Sequence, residues 1–510
     1  MPTSSEVKIL IIGAGPTGLG AAKRIDDLHK QGLTSASYLL LEKMEEPGGL
    51  ASTDTTPEGF LFDVGGHVIF SHYSYFDQAL EQALPKDADW FTHPRVSYVR
   101  SHNTWVAYPY QNNIFQLPPE AQVKAINGLV DAYAQSIVVQ QKPTNFDEWI
   151  IRHMGSGIAD MFMRPYNYKV WGIPTPLMQC NWLGERVAAP DLKSVISNLI
   201  RKKEAGNWGP NATFKFPAHG GTHGVWKAVV KTLPQDKIKL GTAVTRIDPA
   251  DKIAYCSDGS EIKYEKCIST MGVDRLVDIL PTNSNAKATP ETVRNAAKGL
   301  VYSTTHVIGI GLRGEACPEV ANMCWMYFPE DNTPFYRATV FSNYSSNLCP
   351  QKGTKLKTLR QADGNNTHYT EAREGPYWSL MLEVCESAHK PVNRSTMVEE
   401  AIQGCVNTGL IKASDDIVST YHRNFDHGYP TPTLNRDSCI AVVLPYLQKN
   451  LDIWSRGRFG AWKYEVANQD HSFMQGVEAV DNILYGTPEL TVNNPDWVNS
   501  HTNNERNFKT

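Results

Sequence analysis

The chain has no C-x-x-C pair, and its nine cysteines among 510 residues stand singly (Cys180, Cys256, Cys267, Cys317, Cys324, Cys349, Cys385, Cys405 and Cys439). An odd, scattered set argues against a disulfide framework and against a structural zinc site. No uninterrupted apolar run is long enough to span a bilayer, so no membrane partner is expected. The opening MPTSSEVKILIIG has no basic region before its apolar stretch, which reads as a strand rather than a secretory leader. A cytoplasmic location is expected, and the sequon at Asn211 carries no weight. Charge is balanced at 49 Lys and Arg against 53 Asp and Glu, a net of −4. That balance excludes a broad nucleic-acid or anionic-membrane face, while leaving room for a small anion held by local arginines. Internal repeats and low-complexity tracts are also lacking. What remains is an ordinary globular composition, 41% hydrophobic and 20% charged, in a chain too long for one core.

Against that plain background, VKILIIGAGPTGLGAAKRI stands out. Lys8 to Ile12 read as a strand, Gly13, Gly15 and Gly18 form G-x-G-x-x-G, and Leu19 to Ile25 open a helix. Glycine without Cβ lets backbone approach a pyrophosphate, and the helix N-terminus then faces the anion. A second apolar strand, YLLLEK, ends at Glu42, a carboxylate placed to accept from an adenosine ribose. Strand, turn, helix and acid together predict a bound dinucleotide; an empty βα turn is the weaker reading.

Further along, EEPGGLAST brings Gly48 and Gly49 into a turn just before Leu50, and FLFDVGGHVIF breaks at Gly65 and Gly66 just before His67. Two glycine pairs so near the fingerprint suggest backbone lying flat on a planar cofactor. From Pro119 to about Ile200 the periodicity is helical, as an inserted domain would be. IKLGTAVTRID, KIAYCSDG and EIKYEKCIST read as a β-meander, and THVIGIGL, CWMYFP, FYRATVFS and YWSLMLEV as strands of a larger sheet. Residues 349–374 are polar and predict a mobile surface loop. A last helix is expected with Asp470 as its N-cap, followed by a polar tail.

These pieces resemble the glutathione-reductase-like FAD superfamily that includes the amine oxidases, and within it the eukaryotic, fungal-type UDP-galactopyranose mutases. The residues carrying the resemblance include GAGPTGLGAAKR (13–24), PGGLAST (47–53), FDVGGHVIFSHY (62–73), RPYNYKVW (164–171), WLGERVAAP (182–190), NWGPNATF (207–214), PFYRATVFSNY (334–344), HGYPTPTL (427–434) and WSRGRFGAWKYEVANQDHSFM (454–474). They run through nearly the whole chain; the first two are widespread among flavoproteins and the later ones are specific. The resemblance implies an α/β fold with a discontinuous Rossmann-like FAD-binding domain over 1–110, 207–300 and 430–510. It further implies a helical insertion at 111–206 and a mixed or antiparallel substrate-side sheet at 301–429.

The implied reaction interconverts UDP-galactopyranose and UDP-galactofuranose through a covalent adduct on N5 of reduced FAD, without net redox change. Cofactor contacts would come from Gly13, Gly15, Gly18, Glu42, Gly49, Leu50, Gly65, Gly66, Arg458, Asn468, Gln469 and Ser472. His67 would lie against the flavin; read without the resemblance, it is better taken as a buried turn histidine. Its spacing to His72 suggests no metal, for no third ligand stands nearby. Arg186 and Arg337 would grip the diphosphate with their planar forks; on bare sequence an internal acidic partner is equally good. Tyr327, Tyr429 and Tyr464 would add hydroxyl donors, each with an ordinary core alternative.

Phe162, Tyr166, Asn167 and Trp171, at near-helical spacing, would join Tyr108 and Gln111 at the uridine. Trp325 would lie near the sugar, and Asn207 would close over the substrate. Gly172, next to the stacking Trp171, departs from the family pattern. Arg95 and Ser97 match the segment assigned to NADPH, although a surface strand reads the same way. A homo-oligomer, tetrameric as in eukaryotic relatives, is implied. The alternatives are an amine oxidase or desaturase on the same scaffold, which needs no paired arginines, and a flavin-free prenyl-protein escort, which lacks the phosphate-binding glycines.

Overall fold

The computed structural model describes residues 4–206, 212–282, 288–364 and 371–501. Its first sheet has seven strands, built on the apolar strand Ser4–Ile12. That strand pairs in parallel with Tyr38–Leu41 on one side and Glu261–Ser269 on the other. Both of its faces are covered, which is why it reads as a continuous apolar run rather than an alternating one. Helices Pro16–Lys30 and Gln469–Tyr485 pack on one face, with Ile9, Ile11, Leu19, Phe473 and Val477 in a common core. Leu10, Ile12, Val443 and Leu447 bury the other face against the helix Arg436–Leu451.

The meander expected over 238–269 is only partly one. Val244–Asp248, Ile253–Cys256 and Glu261–Ser269 do run antiparallel in turn. Ile238–Lys239 instead leaves that group and pairs in parallel with Tyr38–Leu41 on the far side of the sheet.

The second sheet has eight strands, with Tyr302–Arg313, Tyr377–Glu386 and Asp416–Pro430 at its centre. One expected boundary moves. Ser97–Ser101 and Thr104–Ala107, grouped by sequence with the nucleotide domain, form the edge of this sheet by parallel pairing to Trp325–Tyr327. Pairing across such a sequence separation leaves no local trace. Residues 349–374 are also less loop-like than their polarity predicts: Lys355–Leu356 pairs with Arg373–Glu374, and Arg360–Gln361 pairs with Asp416–Ile417.

Helices Pro119–Val138, Phe146–Ile158, Arg164–Trp171 and Leu192–Arg201 fall in the segment expected to be helical. A π-helical turn at Ala159–Met163 joins the second to the third, so Phe162 precedes the helix that holds Tyr166, Asn167 and Trp171. No helix among the described residues is long and apolar enough to cross a membrane. All nine cysteines are free.

Candidate active site

A cleft of about 1160 Å³ runs from the glycine turn of the first sheet, between the two sheets, to the helical insertion. At its first end, Gly13 N–H donates to Leu41 O at 2.7 Å and Gly48 N–H to Ala14 O at 2.8 Å, so the two glycine turns pack together. Gly13 has φ +103°, and a Cβ on Gly18 would stand 1.8 Å from the Gly13 carbonyl oxygen. Both positions therefore exclude side chains. Gly15 differs: its Cβ would meet nothing nearer than 3.8 Å, so it faces open groove at the start of the helix Pro16–Lys30. Glu42 is buried, its Oε2 accepting from Ala14 N–H at 2.7 Å and its Oε1 from Met44 N–H at 2.9 Å. Each carboxylate oxygen keeps a lone pair for a ribose hydroxyl. A groove that only a residue without Cβ leaves open, a helix N-terminus and a backbone-anchored carboxylate fit the pyrophosphate and ribose of FAD.

The middle of the cleft is lined by Gly65, Gly66 and His67. The His67 ring is partly open to the cleft only, and its Nδ1 has no partner. Burial, then the charge of Arg458, pushes its pKa down to about 4, so it is neutral at pH 7. The sign follows from linkage: the unfolded chain takes up this proton near pH 6.5 and the folded chain does not. Stability from the neutral ring is present above pH 6.5 and lost as pH falls toward about 4. In urea titrations across that window, His67→Asn is expected to flatten the pH slope by an amount on the order of 1 kcal/mol, discounted for the ring's access to the cleft.

Opposite stands the N-terminus of the helix Gln469–Tyr485, whose N-cap is Asn468. The cap expected at Asp470 is not there. Its carboxylate Oδ2 is taken by His72, which approaches with its backbone N–H at 3.0 Å and its ring Nδ1 at 2.7 Å. His72 lies with Asp470 and His471, their possible ligand atoms within 4.8 Å of one another. The sequence argument that no third ligand stands near His72 thus fails in space, although His67 is no member of the group. Gln469 accepts from Trp226 Nε1–H at 2.8 Å, while Asn468 Nδ2 has no partner.

Two guanidiniums in the cleft have no carboxylate partner among the described residues. Arg186 donates from Nη1 to Asn468 Oδ1 at 3.1 Å and from Nη2 to Glu465 O at 3.0 Å, over the Tyr464 ring, and its buried Nε has no partner. Arg458 donates to Gly428 O at 3.1 and 3.2 Å and lies over the rings of Tyr429 and Tyr464. Burial lowers its pKa, and the charge of Arg186 adds to that. Cations half-buried in a cleft without a counter-charge carry a desolvation cost that a bound anion offsets.

Arg337 is different. Its Nε donates to Glu383 Oε1 at 2.9 Å and its Nη2 to Glu383 Oε2 at 2.8 Å, so the internal acid that sequence left open is present. Sequence reasoning passed over Glu383. Its signal was a carboxylate inside the apolar strand YWSLMLEVCE.

The far end is aromatic. Phe162 stacks on Tyr166 at 5.3 Å, and Tyr166 meets Tyr327 edge-on at 5.4 Å. Trp171 meets Tyr464 edge-on at 4.7 Å and Tyr429 at 5.6 Å. Burial raises the pKa of Tyr108, Tyr166, Tyr327 and Tyr429, keeping these hydroxyls as donors. Gln111 Nε2 donates to Ala188 O at 2.6 Å and its Oε1 is left unpartnered; Asn167 Nδ2 donates to Met163 O at 2.8 Å. The indole N–H of Trp325 has no partner. Gly172 is explained by position: with φ +68° it ends the helix Arg164–Trp171, and a Cβ would press on Ser387 and Cys385 at 2.8 and 2.9 Å.

Glu42, Gly49, Leu50, Ser472 and Arg95 also line this cleft. Gly18 does not, since it packs beneath the turn, and neither does Ser97, which is buried in its strand. Asn207 lies outside the described residues.

Comparison with known proteins agrees with this geometry. Residues 16–359 match the family described as flavin containing amine oxidoreductase. A crystal structure of reduced UDP-galactopyranose mutase is 42% identical, with 97% of this chain and 98% of that one covered and a TM-score of 0.87. A putative protoporphyrinogen oxidase from Exiguobacterium sp. 255-15, 12% identical over 96% of this chain and 100% of its own, shares the fold at a TM-score of 0.63. A ferredoxin–NADP reductase of Saccharopolyspora erythraea is 34% identical over 86 residues, a match spanning 17% of this chain and 24% of that reductase. Nucleotide turn, cationic cleft and full-length likeness agree: the chain belongs to the UDP-galactopyranose mutase family, within the flavin-containing amine oxidoreductases.

Proposed function

We propose that this chain interconverts UDP-galactopyranose and UDP-galactofuranose. The observation that carries the reading is Arg186, a half-buried guanidinium with no carboxylate partner among the described residues, in the cleft that begins at the nucleotide turn. An amine or apolar substrate gives such a cation nothing to bind; a nucleotide diphosphate does. When bound and reduced, FAD supplies a nucleophilic nitrogen for the anomeric carbon, with no net oxidation.

The chain's own residues do the holding. Gly13, Gly15 and the following helix N-terminus take the FAD pyrophosphate, and Glu42 the adenosine ribose. Gly49, Leu50, Gly65 and Gly66 lie along the cofactor. Arg458, with Asn468, Gln469 and Ser472 at a helix N-terminus, would favour negative charge on the reduced ring. Arg186 and Arg337 hold the UDP diphosphate with the hydroxyls of Tyr327, Tyr429 and Tyr464, so that UDP leaves and returns along one path. Phe162, Tyr166, Asn167, Trp171, Tyr108 and Gln111 receive the uridine, and Trp325 lies by the sugar. His67, neutral, would lie against the flavin. Arg95, at the cleft, would receive NADPH as the source of reducing equivalents, with the buried Ser97 behind it in the same segment, and Asn207 would close over the substrate. A cytoplasmic homotetramer of the eukaryotic, fungal type completes the reading.

The test is turnover of UDP-galactofuranose, followed by chromatography, with flavin oxidised in one sample and dithionite-reduced in the other. Conversion in the reduced sample alone, without net consumption of reductant, is expected. A yellow, folded protein that turns over in neither state would sink the proposal and favour an oxidase.

A further inference from the structure

Lys169 is a buried cation that stands behind the cleft. It belongs to the helix Arg164–Trp171, yet it does not line the cleft as its neighbours Tyr166, Asn167, Val170 and Trp171 do. Its ammonium donates to Glu330 O at 2.9 Å, to Thr333 O at 2.9 Å and to Thr333 Oγ1 at 3.1 Å. An ammonium has three N–H donors, and here three acceptors meet it. None of them is a carboxylate. Glu330 Oε1 is engaged elsewhere, accepting from His102 N–H at 2.6 Å. Thr333 is itself buried, and its hydroxyl donates onward to Phe335 O at 2.9 Å, which holds its oxygen toward the lysine.

These acceptors belong to one turn. Residues 328–336 join the strand Trp325–Tyr327 to the strand Arg337–Val340, which run antiparallel, and Phe328 N–H donates to Tyr336 O at 3.0 Å. Tyr327 and Arg337 stand directly opposite each other in this hairpin, with Trp325 two residues back. All three line the cleft. One ammonium therefore ties the helix that holds Tyr166, Asn167 and Trp171 to the hairpin that holds Trp325, Tyr327 and Arg337. A buried charge met by neutral acceptors is a poor source of stability, since its desolvation is only partly offset; what it supplies is direction.

Resting on the mutase reading above, we infer that Lys169 is a positioning residue whose ammonium sets the span between the two walls that a nucleotide diphosphate must bridge, the uridine-side helix and the hairpin bearing Arg337.

The tie responds to pH. Burial, and then the charge of Lys390, lower the pKa of Lys169 to about 7, while Asp331 and Glu330 oppose the shift. These are the charged groups that face it: two on the hairpin turn, and one beyond the strand Tyr377–Glu386 that donates to Cys385 O at 2.8 Å. A neutral amine has two donors for three acceptors, so the tie loosens as pH rises through about 7.

The experiment titrates UDP and uridine into the holoenzyme by calorimetry. Lys169→Met keeps an unbranched side chain and removes the donors; UDP is expected to bind about tenfold more weakly, and uridine, which meets one wall, within about twofold of native. Between about pH 6 and pH 8.5 the native chain should lose about threefold more UDP affinity than Lys169→Met, in which Glu330, Asp331, Lys390 and the ionisation of UDP are retained. Thr333→Val removes one acceptor and should weaken UDP by about threefold, whereas Thr333→Ser keeps it and should bind like the native chain. Unchanged UDP affinity in Lys169→Met, an equal loss for UDP and uridine, or one pH slope for both proteins would each overturn the assignment. If Lys169→Met does not fold, the Thr333 pair decides, and equal UDP affinities in its two members overturn it. A native holoenzyme that binds no UDP would overturn the mutase reading instead, and the tie's role with it.

Discussion

Gly15→Ala is expected to fold like the native chain and to purify colourless, with flavin affinity reduced about a hundredfold, near 3 kcal/mol. The added methyl meets no protein atom within 3.8 Å, so nothing in the fold opposes it. It would occupy the groove at the helix N-terminus instead, where the pyrophosphate must approach the backbone. Gly18→Ala, three residues on, should behave differently. Its methyl would fall 1.8 Å from the Gly13 carbonyl oxygen, a backbone atom that cannot rotate aside. Loss of stability of about 3 kcal/mol or more is expected there, alongside loss of flavin. The ratio of flavin to protein absorbance and the thermal unfolding of each apoprotein separate the two cases. A yellow Gly15→Ala protein would place the pyrophosphate elsewhere.

Arg186→Ala is expected to lower kcat/KM by about a thousandfold, near 4 kcal/mol, with flavin content unchanged. Arg186→Lys should recover little, because the forked geometry is lost even though the charge stays. The size of the effect reflects the setting: the guanidinium is held by Asn468 Oδ1 and the Glu465 carbonyl, neutral groups that orient it without satisfying its charge. Single-turnover and UDP-binding measurements on the reduced enzyme check this. Parallel loss of flavin would instead identify Arg186 as a strut for the turn at 465–468, which begins the helix beside the cofactor.

The nucleotide end of the cleft was legible in the sequence because its parts are consecutive. Strand, glycine turn and helix follow one another within residues 8–25, and Gly18 answers a contact with Gly13 inside that same segment. The aromatic wall was half legible. Phe162 and Tyr166 meet through local spacing, but Tyr327, which meets Tyr166, and Tyr429 and Tyr464, which meet Trp171, arrive from distant strands and turns. Resemblance supplied those names; periodicity could not have.

Charged groups were the hardest to read, since their state depends on what approaches in space. Arg186 and Arg337 looked alike as arginines in apolar or aromatic text. Only the register between neighbouring strands brought Glu383 to Arg337, while Arg186 has no carboxylate partner among the described residues. Asp470 had the right type and place for a helix cap, yet His72, 398 residues earlier in the chain, claimed its carboxylate. The edge strands at 97–107 went to the second sheet through parallel pairing with Trp325–Tyr327.

By itself the sequence determined the dinucleotide turn, the apolar central strand and the class of ligand, because backbone conformation and local periodicity are written in neighbouring residues. Which cations lack a carboxylate among the described residues, which carboxylate is spent on structure, and how Gly66 is tied to Arg337 through Glu383 were decided only in the folded chain. Those are properties of burial and of pairing across long sequence separations, where one new neighbour changes the cost of a charge by several kcal/mol.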